Sequence, residues 1–208
     1  MDLRLLKSKH KMDIRGIIQV GSHVSSEYEI LREVSKGPFV MIDANPNIID
    51  KLISNTDEDC LVLNYLLSEE DGKEYNFTIL EHEQSSSMLE LDKHIDYHPE
   101  YSKISRVVKM KSKRLDSIFS EKSIDPDLYN TVMMDVQGAE LLVLMGFEKN
   151  LQKMDYVYTE VNYDSMYKNC VLERDLTQYL SERNFSLVQQ FNTGFGWGDA
   201  LYIKKDLI

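Results

Sequence analysis

Three short apolar runs in this chain of 208 residues end on a glycine or an aspartate and pass at once into a turn or helix-forming segment. Gly16-Ile17-Ile18-Gln19-Val20 stops at Gly21, Phe39-Val40-Met41-Ile42 stops at Asp43, and Tyr129 to Met134 stops at Asp135. Runs this short, rich in branched side chains and bounded by turn-formers, read as buried strands. Strands alternating with helices leave few folds open. The expected product is a mostly parallel sheet with helices on both faces.

The remaining segments fit that frame. Ser25-Ser26-Glu27 opens a helix with Tyr28, Leu31 and Val34 at helical spacing, Ser25 serving as N-cap. Asn45-Pro46 starts another, with Ile48, Ile49, Leu52 and Ile53 as its buried stripe. Cys60 to Leu66 is a third apolar run, Asp71 to Leu80 a turn followed by an exposed strand, and Arg106 to Leu115 a weakly alternating strand. Gly138-Ala139-Glu140 opens a helix with Leu141, Leu142 and Met145 inward and Gly146 at its end. Tyr156 to Val161 is a fifth core strand, and Glu173 to Asn184 is amphipathic. Phe185 to Val188 and Ala200 to Ile203, joined through a Gly-rich loop holding Trp197, read as a terminal antiparallel hairpin. The division expected is a basic N-terminal arm over 1–12, without the apolar stretch of a signal peptide, and one domain over 13–208.

Charge and cysteine content exclude some functions. A net charge of −11 argues against binding held by nucleic-acid phosphates. No apolar stretch is long enough to span a bilayer. Two cysteines, Cys60 and Cys170, make neither a disulfide framework nor a zinc site, which fits a reducing, cytoplasmic setting. The basic run Arg106, Lys109, Lys111, Lys113 and Arg114 reads as the wet face of a strand. His82, His94 and His98 lie in a long polar loop and read as solvated, whereas His23, just after Gly21, is better placed to touch a ligand.

In an open α/β sheet, ligands bind outside the carboxyl ends of the strands. Gly21, Asp43, Asp135 and Glu160 all stand there, together with Ser22, His23, Ala44, Tyr65, Leu66 and Gln137. Gly21 ends the first strand and Asp43 the second, 22 residues on, where a ribose hydroxyl pair is gripped in nucleoside-binding sheets. A full G-x-G-x-x-G pattern is missing, because positions 23 and 26 are His and Ser. A nucleoside without phosphates, such as S-adenosylmethionine, fits better than a dinucleotide.

Asp135-Val136-Gln137-Gly138-Ala139-Glu140-Leu141-Leu142-Val143-Leu144-Met145-Gly146 resembles the signature segment of the FkbM-type family of S-adenosylmethionine-dependent methyltransferases. Gln19-Val20-Gly21 with Glu27, Met41 to Pro46, Leu115-Asp116, Thr159-Glu160-Val161 and Gly196 to Tyr202 match it in the same order. The resemblance runs from about Asp13 to Lys204. It implies a three-layer class I methyltransferase (Rossmann-like) sheet of seven strands with the last antiparallel. It also implies O-methylation of a sugar hydroxyl on a glycan or glycoconjugate, possible acceptors including rhamnose.

On that pattern Gly21 lies beneath the methionine part of the cofactor, Asp43 on its ribose, and Tyr65 and Leu66 beside the adenine, with Ser22, His23, Glu27, Ala44, Asp135 and Gln137 completing the cofactor-binding set. Asp135 faces the methyl group and the acceptor. Asp135 is the candidate base, with Glu160 as second acid and Tyr163 and Trp197 as sugar-packing aromatics. A divalent ion, Mg or Mn, at Asp135 is compatible with the resemblance and not required by the sequence. Two departures stand out: Ser25 replaces a usual glycine, and Gln137 replaces a frequent glutamate and cannot accept a proton. The alternatives are a catalytically inactive S-adenosylmethionine-binding module and, on the same fold, a nucleotide-dependent oxidoreductase.

Overall fold

The computed structural model describes residues 2–208. In chain order the elements are α1 (Leu3–His10), β1 (Ile17–Val20), α2 (Tyr28–Val34), β2 (Phe39–Asp43), α3 (Ile49–Ser54), β3 (Cys60–Asn64), β4 (Leu66–Leu67) and β5 (Glu74–Leu80). They continue with α4 (His94–Tyr97), β6 (Ile104–Lys113), α5 (Leu115–Glu121), β7 (Thr131–Met134), α6 (Glu140–Gly146) and α7 (Glu148–Leu151). The chain ends with β8 (Tyr156–Asn162), α8 (Glu173–Ser181), β9 (Phe185–Asn192) and β10 (Trp197–Lys204).

One seven-stranded sheet runs in the order β3-β2-β1-β7-β8-β10-β9. β1 pairs in parallel with both β2 and β7, and only β10 runs against its neighbours. Strand order therefore reverses between β1 and β7. Each central strand is buried along its length, and the two faces carry separate apolar cores, one around Val132, Phe147 and Tyr202, the other around Ile17, Phe39 and Leu201. Asn130 fastens the far ends: its side chain accepts from the Arg15 amide and donates to the Asp13 carbonyl and the Asp155 carboxylate. No helix among the described residues is long and apolar enough to cross a membrane.

The basic segment before Asp13 forms α1, with Leu3 and Leu6 buried against the core that also holds Tyr28 and Leu31. Met1, the first residue of that segment, lies outside the described residues.

Several local expectations are corrected. α2 begins at Tyr28 rather than Ser25, because Ser25 takes a left-handed φ of 45° and turns its hydroxyl toward Gln19. α3 begins at Ile49: the Asn45 side chain caps a turn at the Asn47 amide instead of a helix, and Ile53 is exposed. In α6 the inward residues are Val143 and Leu144, and Met145 is exposed.

Sequence patterning missed a second sheet. β5 and β6 form an antiparallel pair, and β4 joins β6 in parallel, giving the order β4-β6-β5. Its inner face, Leu66, Phe77 and Ile79, packs with Met88 and Ala139 into a third small core. Lys109 and Lys111 stay exposed on β6, alternating with the half-buried Val108 and Met110, and Arg106 is exposed where the strand begins.

Candidate active site

A cavity of about 610 Å³ opens at the carboxyl ends of β1, β2, β7 and β8, where strand order reverses. Gly21 lets the ends of β1 and β7 lie close together there. Its φ is +74°, and a Cβ there would stand 1.7 Å from the Asp135 carbonyl oxygen. Any side chain would push the ends of β1 and β7 apart. Ser25, in its left-handed conformation, holds a backbone shape that glycine would adopt without strain.

The loop after β1 is tied down from β2. The Ser22 amide and hydroxyl both donate to the Ile42 carbonyl, at 3.2 and 3.3 Å. The Asp43 carboxylate accepts the His23 amide on one oxygen and the Asn45 amide on the other, each at 2.8 Å. Burial raises the Asp43 pKa and these two amides oppose it. A carboxylate so clamped has one orientation and still has lone pairs for ligand hydroxyls. On the wall beside it, Gln19 donates to Glu27 at 2.6 Å.

Across the cavity stands a linked group from β7, the loop behind it and β8. Gln137, in a left-handed conformation (φ 54°), donates its side-chain nitrogen to Asp135 Oδ1 at 2.6 Å and to Glu160 Oε2 at 3.1 Å. The Gln137 side-chain oxygen accepts the buried Tyr167 hydroxyl at 2.5 Å. Asp135 is exposed to the open cavity, with protein packed behind it. That packing, with Asp199, Glu27 and Asp43 nearby, raises its pKa against the pull of the Gln137 amide. Burial first, then Asp135, Glu140 and Asp199, raise Glu160 well above an ordinary carboxylate. Glu140 works on the backbone: one of its oxygens accepts the amides of Val136 and Gly138, which shapes the loop carrying Gln137.

The expected cofactor residues Gly21, Ser22, His23, Glu27, Asp43, Ala44, Tyr65, Leu66, Asp135 and Gln137 all line this cavity, as do Glu160 and Trp197. Tyr163 is not among the lining residues. It packs on the main core and against Gly198, and its hydroxyl reaches Gln190. Trp197 is not in a loop but opens β10, opposite Asn162. Among the described residues no group of three or more His, Cys, Asp or Glu side chains would hold a metal ion. Asp135 is therefore in no such group that would complete a ligand set for a divalent ion.

Several cavity residues escaped sequence reasoning. Asp199 lies opposite Glu160 in the β8–β10 ladder, and two positions along Asn162 lies opposite Trp197. Tyr158, whose pKa is raised by burial and by Asp199, shares that face. The polar loop before β6 is no solvated excursion. His94 is buried, bonded to the Ser102 hydroxyl and tilted against Tyr167, and His82 stacks on Tyr101 at 4.2 Å between ring centres. Burial, His98 and His82 push the His94 pKa down to about 4. For Asp199 the only signal was period-two alternation, whereas Asn162 stands with Glu160 among the polar residues at the carboxyl end of an apolar run. For the histidines there was none.

The chain is similar to known methyltransferases. A 94-residue stretch, 45% of this chain, is 33% identical to the 2-O-methyltransferase NoeI of Sinorhizobium fredii (strain NBRC 101917 / NGR234) and spans 37% of that protein's length. Magnesium protoporphyrin IX methyltransferase (ChlM) from Synechocystis PCC 6803, solved with bound SAM, superposes with a TM-score of 0.51 at 10% identity, over 97% of this chain and 75% of that one. A SAM-dependent methyltransferase from Aquifex aeolicus gives 0.50 at 9% identity, over 98% and 89%. At such identities the two structures speak for the fold, a class I methyltransferase sheet. The pattern of the methyltransferase FkbM domain matches residues 19–187, and the chain belongs to the FkbM methyltransferase family.

Proposed function

We propose that this protein methylates a hydroxyl group on a sugar of a glycan or glycoconjugate, with S-adenosylmethionine as donor and rhamnose as one candidate sugar. The observation that carries the reading is Asp135: a carboxylate at the end of β7, open to the cavity, beside Gly21 and held by the Gln137 amide. The family supports methyl transfer, and the relative NoeI, a 2-O-methyltransferase, supports oxygen as the receiving atom.

S-adenosylmethionine supplies the electrophilic methyl group when bound. This chain's residues fit it on structural grounds. The cavity has the size of a small-molecule site. The clamped Asp43 carboxylate takes the ribose hydroxyl pair, and Tyr65 and Leu66 wall the base. A sugar hydroxyl is barely acidic and needs a base as it attacks. Asp135 takes that proton at its carboxylate, and its raised pKa brings it closer to neutrality, where such a base works best. Glu160 shares the Gln137 amide and is the second acid.

Mass spectrometry of sugars incubated with protein and donor tests the reading. Methylated sugar is the expected product. Cofactor bound without any methylated sugar, RNA or protein would instead match a binding module that has lost its chemistry. Methylated RNA or protein with no methylated sugar would refute the acceptor class.

A further inference from the structure

We infer that Asn162 selects the acceptor: its side chain grips two hydroxyls on adjacent carbons of a sugar ring, and the ring lies against Trp197. This rests on the methyl-transfer reading above and narrows its acceptor to sugars that present such a vicinal pair.

Asn162 is the last residue of β8. Alternate residues of a strand share a face, and Tyr158, Glu160 and Asn162 all line the cavity. The residue opposite Asn162 in the β8–β10 ladder is Trp197, which lines the cavity as well. Side chains of a directly opposite pair stand on one side of the sheet, within reach of one ligand.

The state of the Asn162 amide points to that ligand. Asn162 is only 1% exposed, and neither its side-chain nitrogen nor its oxygen has a hydrogen-bond partner among the described residues. Asn130, equally buried, shows what a structural amide does in this fold. Its oxygen accepts from the Arg15 amide, and its nitrogen donates to the Asp13 carbonyl and the Asp155 carboxylate. Buried polar atoms are nearly always paired, so an amide bare at both ends on a cavity wall is waiting for a polar molecule.

The chemistry of that molecule follows from the two atoms. Nδ2 offers N–H donors and Oδ1 offers lone pairs, side by side. One hydroxyl that accepts from Nδ2, next to one that donates to Oδ1, satisfies both ends together. A carboxylate or phosphate oxygen has no proton to give Oδ1, and an isolated hydroxyl leaves one end unmet. The indole opposite suits the apolar face of the same ring. His98 brings a further unsatisfied atom to the cavity wall: its Nε2 is buried without a partner, and its ring tilts against Phe195, two residues before Trp197, with 5.9 Å between centres.

The cofactor set reaches along the sheet as far as Asp135 and Gln137 at the end of β7. Asn162 stands on β8, one strand farther out, paired with the aromatic assigned to the sugar.

The test uses protein saturated with S-adenosylhomocysteine and the methyl pyranosides of rhamnose, fucose and glucose, each compared with its 3-deoxy form by calorimetry. A 3-deoxy form keeps its other hydroxyls but has no two on adjacent carbons. At least one parent glycoside should bind, about tenfold or more tighter than its 3-deoxy form, the size of one or two hydrogen bonds. In Asn162→Leu, similar in size and without polar side-chain atoms, parent and deoxy forms should bind equally weakly while S-adenosylhomocysteine affinity is unchanged. Asn162→Ala repeats that comparison if leucine does not fit, and the wild-type comparison stands without either variant. No binding of any parent glycoside, equal binding of parent and deoxy forms by the wild type, or a preference that survives both substitutions would overturn the inference alone. So would a folded variant that loses S-adenosylhomocysteine. Failure of the wild type to bind S-adenosylhomocysteine would overturn the methyl-transfer reading and this inference with it.

Discussion

The Tyr167 hydroxyl donates to the Gln137 side-chain oxygen at 2.5 Å, and this single bond decides which way the amide faces. With its oxygen engaged, Gln137 presents only N–H groups to Asp135 and Glu160. A residue that cannot serve as a base thus positions two that can. Tyr167→Phe should cost about 1–3 kcal/mol of stability through the acceptor left buried without its donor. Turnover should fall more than cofactor affinity does. Thermal melts, calorimetry with S-adenosylhomocysteine and single-turnover rates separate these effects, and unchanged turnover would show that the amide needs no such lock.

On the proposed reading Asp43 has two tasks, holding the loop after β1 and gripping the ribose, so its removal has two readouts. Asp43→Ala strips the acceptor from the His23 and Asn45 amides and loosens the loop after β1 as well as the ribose contact. Cofactor affinity should weaken by about 1.5–3 kcal/mol, the range for hydrogen bonds to charged groups. The ligand-free melting temperature should fall too. Full affinity in a folded variant would remove the ribose assignment.

Acidic and imidazole groups in the cavity pull stability in opposite directions with pH. Glu160 and Glu140 are buried, and that burial is the chief cause of their raised pKa values. Between ordinary carboxylate values and the raised ones, the folded chain binds more protons than the unfolded chain. Stability therefore falls as pH rises through that window. Glu160→Gln should be more stable than wild type at pH near 8, with the advantage fading on acidification.

His94 runs the other way. Its pKa drops from 6.5 to about 4 on folding, so its contribution is intact above 6.5 and lost as pH falls toward 4. Melting temperatures across that range should fall less steeply in His94→Gln than in wild type. Identical slopes would mean that His94 is not held neutral.

Trp197→Ala should raise the acceptor's KM and leave cofactor affinity alone, since the ring opens β10 on the acceptor side and lines the cavity without belonging to the main cores. Loss of cofactor binding in a folded Trp197→Ala protein would contradict that placement.

Much of this was legible from residue order. The central strands announce themselves because a strand buried on both faces must be apolar throughout, as in Ile17–Val20 and Thr131–Met134. Gly21, Asp43 and Asp135 were visible because polar residues at the ends of such runs stand out. Asp199 was not, since it lies inside a strand whose facing is set by pairing register. His94 was misread because a polar loop gives no hint of the ring contacts that bury it. The β4-β6-β5 sheet was hidden by the two-residue length of β4 and the exposed face of β6. Ser25 failed as a helix cap because tertiary contact with Gln19 outweighed its local preference.

The central claim is that Asp135 serves as the base for methyl transfer to a sugar hydroxyl. The direct test is transfer of a labelled methyl group from S-adenosylmethionine to sugar acceptors, wild type against Asp135→Asn, at saturating donor. The expected result is labelled sugar from the wild type and a rate lower by about two orders of magnitude or more in the variant, with cofactor affinity nearly unchanged. A variant that transfers label at the wild-type rate would contradict the account.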